Sequence, residues 1–436
     1  MRFLGIGDSC DLGALYLRLA EAGHEVKVSV ADPMCHGTLA GMVERVADWE
    51  AELGWIGGAG TDGIILFENV AGRRGALQDR LRGQDLHVVG GSAFGDRLEN
   101  DRKFAQEALA GIGLSTAKAW EFSELRQALR FIAASPARYV LKFNGPGFSA
   151  ADNYIGQLAD GGDVAAVLAA KLRGSENLAT GFILMERVFG VEMGVGAYFN
   201  GRRFLTPACL DWEHKRFFAG DLGELTGEMG TVVTYDRTRH FFDLTLGRLE
   251  AVLREHGHCG YVNLNTIVNE DGIWPLEFTC RFGYPGFAIL DSLQETSWAD
   301  LFHAMVHGAD LHMATRPGFA VGVVLTTPPF PYTRKQVAEA VGLPVFLDPA
   351  LSPDDHRHLH FGEVGLAGGQ LVTSGIYGWT MVAAGLGPTP VIAKQRAYGL
   401  AGHVHSPNLR YRLDIGDSLI GGELDRVERL GLLDPG

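Results

Sequence analysis

The segment PLEFTCRFGYPGF, residues 275–287, places side chains that could do chemistry at every second position. Side chains alternate across a strand, so Leu276, Phe278, Cys280 and Phe282 share one face while Glu277, Thr279 and Arg281 share the other. The first set reads as core. The second offers a carboxylate, a hydroxyl and a guanidinium. Just upstream, two strand patterns flank Asn269-Glu270-Asp271-Gly272. A three-residue loop with Gly272 in the left-handed position makes a bulged hairpin and sets Asn265 opposite Glu277. The polar face then collects Asn263, Asn265, Glu277, Thr279 and Arg281. A carboxylate beside other oxygen donors suits Mg²⁺, which needs few protein carboxylates when phosphates supply further oxygens. Arg281 could hold a second anion through its planar fork. A solvated outer sheet face is the other reading this stretch allows.

These groups need a scaffold. With 436 residues, at roughly 100 to 200 per domain, the chain suggests two to four domains with real cores. Residues 1–7 read as a strand, CDLGALYLRLAEAG as a helix and HEVKVSVADP as a second strand, the βαβ start of a doubly wound sheet. DGIILFENV and LHVVGGS add strands before residue 92. The first turn, GIGD followed by Cys10, lacks the third glycine of a dinucleotide fingerprint and reads as a plain βα turn. A capped helix ends at Gly111, another spans residues 123–134, and the strand RYVLKFN follows. GFILMERVFGVEMGVGAYFNG reads as two strands separated by Phe189 and Gly190, and a helix over 240–256 leads into the hairpin. Beyond Pro317 the chain is again strand-rich, as in GFAVGVVLTT, HLHFGEV and GGQLVTSGIY.

Composition excludes several classes. A formal net charge of −14 without a Lys/Arg cluster among aromatics argues against nucleic acid as a partner. Five scattered cysteines without a CxxC pair fit reduced thiols in the cytoplasm. No stretch approaches the about 20 apolar residues of a membrane helix, so a soluble protein is expected. Neither a GxSxG elbow nor an HExxH motif supports a hydrolase.

In order along the chain, RKFAQEALAGIGLSTA, YVLKFNG, MERVFGVEM, EHKRFFAGDLGELTGEMG, LEFTCRFGYPG and the ending QRAYGLAG…NLRYRLDIG resemble the ATP-grasp ligases, specifically the glycinamide ribonucleotide synthetase family. The HKR…GDxG…TGxMG and LEFxxRFGxP blocks are the most specific. The resemblance implies an α/β, ATP-grasp fold: a doubly wound, Rossmann-like domain over 1–99, an ATP-grasp domain over 100–316 with 118–192 as a mobile lid, and a strand-rich C-terminal domain over 317–436. It implies ATP and Mg²⁺ as cofactors, small-molecule carboxylate and amine substrates, and a monomer or homodimer. By the same resemblance Lys103 and Lys142 reach the ATP phosphates, Glu186, Arg187 and Val188 form the hinge beside adenine, and Glu192 accepts from the ribose. His214, Lys215 and Arg216 bring cationic donors to phosphate oxygens, Arg281 joins Lys215 in holding an acyl phosphate, and Glu277, Thr279 and Asn265 hold the metal.

Departures from the family matter as much. Thr279 stands where the family has Asn, and GPGFSAADN lacks the lysine of the family's glycine-rich loop. The first turn reads GDSCDL, placing Asp8 and Asp11 where two carboxylates would compete with a phosphate at a helix start. GYPG at 283–286, with Tyr284, replaces Gly-Asp-Pro-Glu, and SGIYGW at 374–379 replaces a Gly-Gly-Arg motif. Asp8, Asp11 and Tyr284 are thus candidate substrate contacts. The changes point to a relative that activates a carboxylate with ATP but uses an acceptor other than phosphoribosylamine. The alternatives are the family's own reaction and a nucleotide-binding module without turnover.

Overall fold

The computed structural model describes residues 1–68, 74–143, 152–172, 177–332 and 340–435. Strands β1 (Arg2–Gly7), β2 (Glu25–Val30), β3 (Glu44–Arg45), β4 (Gly63–Phe67) and β5 (Val88–Val89) form a five-stranded sheet in the order β3-β2-β1-β4-β5. Every pairing in it is parallel. Both faces of such a sheet must be covered, which is why RFLGIG and GIILF are apolar almost throughout. Alternation splits them: Phe3, Ile64 and Leu66 join one core, whereas Leu4, Ile6, Ile65 and Phe67 join another with Ile56 and Leu81.

A second sheet comprises β6 (Ala119–Glu124), β7 (Tyr139–Phe143), β8 (Tyr154–Ile155) and β9 (Asn177–Glu186), in the order β6-β9-β7-β8. Tyr139, Leu141, Phe182 and Leu184 bury one face against helices Leu125–Ala134 and Gly162–Lys171. The alternate positions, Val140, Lys142, Ile183 and Met185, turn to the other face.

The remaining strands are β10 (Val191–Asn200), β11 (Cys209–Phe218), β12 (Leu222–Thr234), β13 (Cys259–Asn269), β14 (Gly272–Thr279), β15 (Phe319–Thr326), β16 (Phe346–Leu347), β17 (Leu359–Phe361), β18 (Val364–Ala367), β19 (Gln370–Thr373), β20 (Trp379–Gly387) and β21 (Val404–His405). Eight of them make an antiparallel sheet in the order β14-β13-β10-β11-β12-β15-β20-β17. Strands beyond Pro317 therefore extend the sheet that holds the 275–287 segment, through the pairing of Gly230–Thr234 with Phe319–Val323. Met193, Val195, Trp212, Val232, Leu264 and Phe278 fill one side of this sheet.

Two local expectations are revised, and a third, the capped helix ending at Gly111, holds. Asn269 pairs with Gly272, so the hairpin loop is Glu270-Asp271, and the bulge falls at Leu276, between the pairs Asn265–Glu277 and Thr266–Pro275. Pro275 has no N–H for the ladder, which makes this the place to absorb an extra residue. Gly272 does have positive φ, and Asn265 does face Glu277. The helix expected over 240–256 breaks at Thr245 into Arg239–Leu244, a 3₁₀ turn Leu246–Leu249 and Glu250–Glu255. The Thr245 hydroxyl donates to the Phe241 carbonyl, competing with the helical ladder. The helix ending at Gly111 begins at Arg102, because Asp101 is extended and its side chain caps the Phe104 amide.

Candidate active site

The polar face of the large sheet gathers one residue in two from five strands: Glu192 from β10, Asp211, Glu213 and Lys215 from β11, Glu228 from β12, Asn263 and Asn265 from β13, and Glu277 and Thr279 from β14. Most of them line a cavity of about 290 Å³ that continues past Arg281 to Tyr284 and Trp379. Two glycines of β10 clear the room. A Cβ at Gly194 would lie 2.2 Å from Asp211 Oδ1, and one at Gly196 would lie 1.8 Å from the Tyr261 hydroxyl. Glycine inside a strand commonly marks such a close approach.

Lys215 is the centre of charge. Its Nζ lies 2.9 Å from Glu277 Oε1, 3.0 Å from Glu213 Oε2 and 3.7 Å from Glu192 Oε1. Burial opposes its charge, yet Glu213, Glu277 and Glu192 together hold it well above the ordinary lysine value. Reciprocally, Lys215 pulls Glu277 down to about 2 against the opposing effect of burial, with help from Lys142 and Arg102. Asn265 Nδ2 donates to Glu192 Oε1 at 2.9 Å, which leaves its buried Oδ1 without a partner across from Glu277. Asn263 Nδ2 donates to Asp211 Oδ2 at 2.6 Å.

Lys142 comes from β7 of the second sheet. Burial, then the neighbouring Arg102, lowers it to about 8, while Glu277 pulls the other way. Arg102 is thus the basic residue that the helix Arg102–Gly111 directs toward this group, and its guanidinium contacts Met185. Lys103 is exposed. Successive helical residues point about 100° apart, so only one of the pair can face the cleft. Beside Lys142, Val188 packs with Ala117, Ala119, Val140, Ile183 and Met185 into an apolar wall.

The other expected residues have definite places. The Glu186 amide donates to the Lys118 carbonyl and its side chain is exposed. Arg187 is tied within its own sheet through Nη1 to Gly156 O and Gln157 Oε1. Arg216 Nη1 donates to Gly223 O. His214 does not join Lys215: adjacent strand residues face opposite sides, and His214 Nε2 accepts from the Gly416 amide at 3.1 Å beneath the C-terminal segment. Burial holds its imidazole down to about 4. Arg281 grips Glu99 at 3.0 Å, and the other oxygen of Glu99 accepts from the Cys280 amide, locking the hairpin's end to the helix Ala93–Asn100. Tyr284 stacks on Trp379 with centroids 5.1 Å apart. Asp8 pairs with Arg74. Buried Asp11 accepts from Ser9, and burial pushes it up to about 6.

Two carboxylates that the sequence reading passed over are decisive. Glu68, just past β4, is buried and accepts from the Cys10 amide at 3.0 Å, the Leu12 amide at 3.4 Å and the Tyr16 hydroxyl at 3.2 Å. Burial pushes it up to about 8, and a Cβ at Gly7 would lie 1.9 Å from its Oε2. Glu363, between β17 and β18, accepts from the amides of Ile376, Tyr377, Gly378 and Trp379 at 2.8, 2.9, 2.5 and 3.2 Å. Clustered amides of this kind form anion-binding concavities. Here both the first βα turn and the 374–379 loop are already filled by a carboxyl group from the protein itself, with burial pushing Glu363 up to about 7. An acidic residue directly after the buried run IILF was the available signal for Glu68.

Residues 100–287 match the family model described as phosphoribosylglycinamide synthetase, ATP-grasp (A) domain. The phosphoribosylamine–glycine ligase of Neisseria meningitidis serogroup B is 26% identical over 357 residues, covering 79% of this chain and 81% of that protein. The enzyme of that name from Pseudomonas aeruginosa is 28% identical over 359 residues, covering 79% and 80%. Among solved structures, the phosphoribosylamine–glycine ligase of Thermotoga maritima superimposes with a TM-score of 0.72 at 22% identity, over 95% of this chain and 100% of that one. The biotin carboxylase subunit of pyruvate carboxylase shares the fold with a TM-score of 0.60 at 9% identity, over 99% and 96%. Residues 100–287 thus match an ATP-grasp domain of the phosphoribosylglycinamide synthetase type, and over most of its length the chain is similar to the phosphoribosylamine–glycine ligases.

Proposed function

We propose that this protein is an ATP-dependent carboxylate–amine ligase that forms an amide through an acyl phosphate, releases ADP and phosphate, and takes an acceptor other than phosphoribosylamine. The observation that carries the acceptor reading is the pair of amide nests filled by Glu68 and Glu363. They lie at the two places where the family resemblance puts phosphate recognition, and a phosphate entering either would have to displace a buried carboxylate. Five buried cysteines, none in a disulfide, suit the cytoplasm, where ATP is available.

The residues present fit the nucleotide. The wall of Ala117, Val140, Ile183, Met185 and Val188 suits the faces of a purine, with Lys142 at its edge and Arg102 against Met185 for the phosphates. Glu277, Thr279 and the unpartnered Asn265 Oδ1 supply oxygen ligands for Mg²⁺. When bound there, the ion would neutralise charge on the phosphoryl group in transfer. Lys215 holds Glu277 ionised and oriented, while Arg281, fixed by Glu99, stands over the cavity where an acyl phosphate would form. Catalysis is then a matter of position and charge, and the nucleophile is the amine.

ADP release measured against a panel of carboxylic acids and amines tests the reading. ADP appearing only with a matching pair supports it. Robust glycinamide ribonucleotide formation from glycine and phosphoribosylamine overturns the acceptor, and nucleotide binding without ADP under any pairing overturns the ligase. Two further results are expected. Arg102→Ala raises KM for MgATP by about tenfold, the size of one charge-assisted hydrogen bond, whereas Lys103→Ala changes it by less than about twofold. With Lys142 at about 8 in the free protein, its charge is present at pH 7 and lost as pH rises through 8. Affinity for MgATP therefore weakens over that window, and Lys142→Arg flattens the titration curve.

A further inference from the structure

We propose that the inner end of the cavity is a subsite for an ammonium group, carried by a small unphosphorylated substrate with an apolar body longer than that of glycine; the inference rests on the ligase reading above. Asp211 and Glu228 are 5% and 8% exposed, and Asp211 Oδ1 and Glu228 Oε1 have no hydrogen-bond partner. Thr231 Oγ1 and the Tyr198 hydroxyl, also buried on this cavity, are unpartnered as well. Buried polar atoms are nearly always satisfied, so several orphaned acceptors around one void mark a place where a donor is missing.

The missing donor is cationic. Lys215 is shared among Glu213, Glu277 and Glu192, and Arg281 is held by Glu99. Among the described residues no ion pair reaches Asp211 or Glu228. Burial and then Glu213 push Asp211 up to about 8 and Glu228 well above the usual carboxylate range, so the free protein retains protons that a bound ammonium would displace. A divalent metal fits less well, since among the described residues no three His, Cys, Asp or Glu side chains come together as a metal site. The surrounding surfaces are Tyr198, Tyr261, Tyr284 and Trp379, whose rings favour an organic cation. Among the described residues, a phosphate at this end of the cavity would meet two acidic side chains and no unpaired cation.

The ammonium could ride on the carboxylate substrate or on a separate amine, and the experiment distinguishes them. Binding of 4-aminobutanoate, 1,4-diaminobutane, butanoate and ribose 5-phosphate to the full-length protein is followed by calorimetry, alongside an unhydrolysable MgATP analogue. The expected result is binding of 4-aminobutanoate alone, if the amino group belongs to the carboxylate substrate, or of 1,4-diaminobutane as well, if it belongs to a separate amine. In Asp211→Asn and Glu228→Gln that affinity falls at least about tenfold while the analogue binds unchanged. The same variants should melt no lower than wild type, because each replaces a carboxyl that has one buried oxygen without a partner and keeps an amide oxygen, which in Asp211→Asn can still accept from Asn263; a purely structural role for these residues would not give that outcome. The subsite is overturned if neither amine binds, if butanoate or ribose 5-phosphate binds as well as the amines, or if the variants retain wild-type affinity. Failure of the analogue to bind would instead remove the ligase reading, whatever the amines do.

Discussion

Glu277→Gln should lower ADP release by at least about a thousandfold while the protein keeps its fold. The expected loss combines a charged metal ligand and an oriented ammonium, each of the class whose removal costs about 10²- to 10³-fold. Lys215, with Arg102 and Lys142, holds Glu277 at about 2, so the native group is ionised throughout the working range. Glutamine keeps the shape and the strand register but presents half a carboxylate and no charge. Lys215 would then relax toward Glu213 and Glu192, its other partners at 3.0 and 3.7 Å. The effect on stability should be small. A carboxylate with a depressed native value contributes stability above its unfolded value, and the contribution disappears only as pH falls through about 2. Because the side chain is half exposed, solvent screens that contribution. Thermal melting at pH 7 together with the ADP assay checks both halves. A melting drop that matched the loss of activity would assign Glu277 to structure instead of chemistry.

What the sequence disclosed was local. The two-residue period of β13 and β14 was enough to set Asn265 against Glu277, because register in a tight hairpin depends only on the loop and the alternation. Phase was harder. RKF could be recognised as the start of a helix, yet which of Arg102 and Lys103 faces the cleft depends on what the helix packs against. HKR sets three cationic side chains together in sequence, whereas β11 runs on to Phe218 and sends His214 to the opposite side from Lys215. Groups brought together from distant segments left no local mark. Glu68 meets Cys10 and Asp211 meets Asn263 across more than fifty residues, and only the strand order places them side by side. Gly194 and Gly196 were visible in VEMGVGAYFN, but their purpose appears only when Asp211 and Tyr261 occupy the space that they leave.

Glu363→Ala should destabilise the protein by about 2–5 kcal/mol, since each buried amide left without its acceptor costs about 1–3 kcal/mol, with a fall in melting temperature of roughly 2–5 °C for a chain of this length. Four amides converge on this carboxylate, and two of the residues that supply them, Ile376 and Gly378, are buried. Alanine leaves those donors facing a void that water fills imperfectly. The vacancy has a second property: a nest of amides without its carboxylate is an anion site. Inorganic phosphate at millimolar concentration should therefore recover part of the lost melting temperature in Glu363→Ala and do little for the wild-type protein, since only a ligand that binds the folded state with the nest open can stabilise it. The contrast bears directly on the acceptor. If phosphate stabilised wild type as strongly as the variant, a phosphate would be able to bind with Glu363 in place, and the main physical reason for excluding a phosphorylated acceptor would be gone. If it acts on the variant alone, the protein's own carboxylate is what keeps phosphate out.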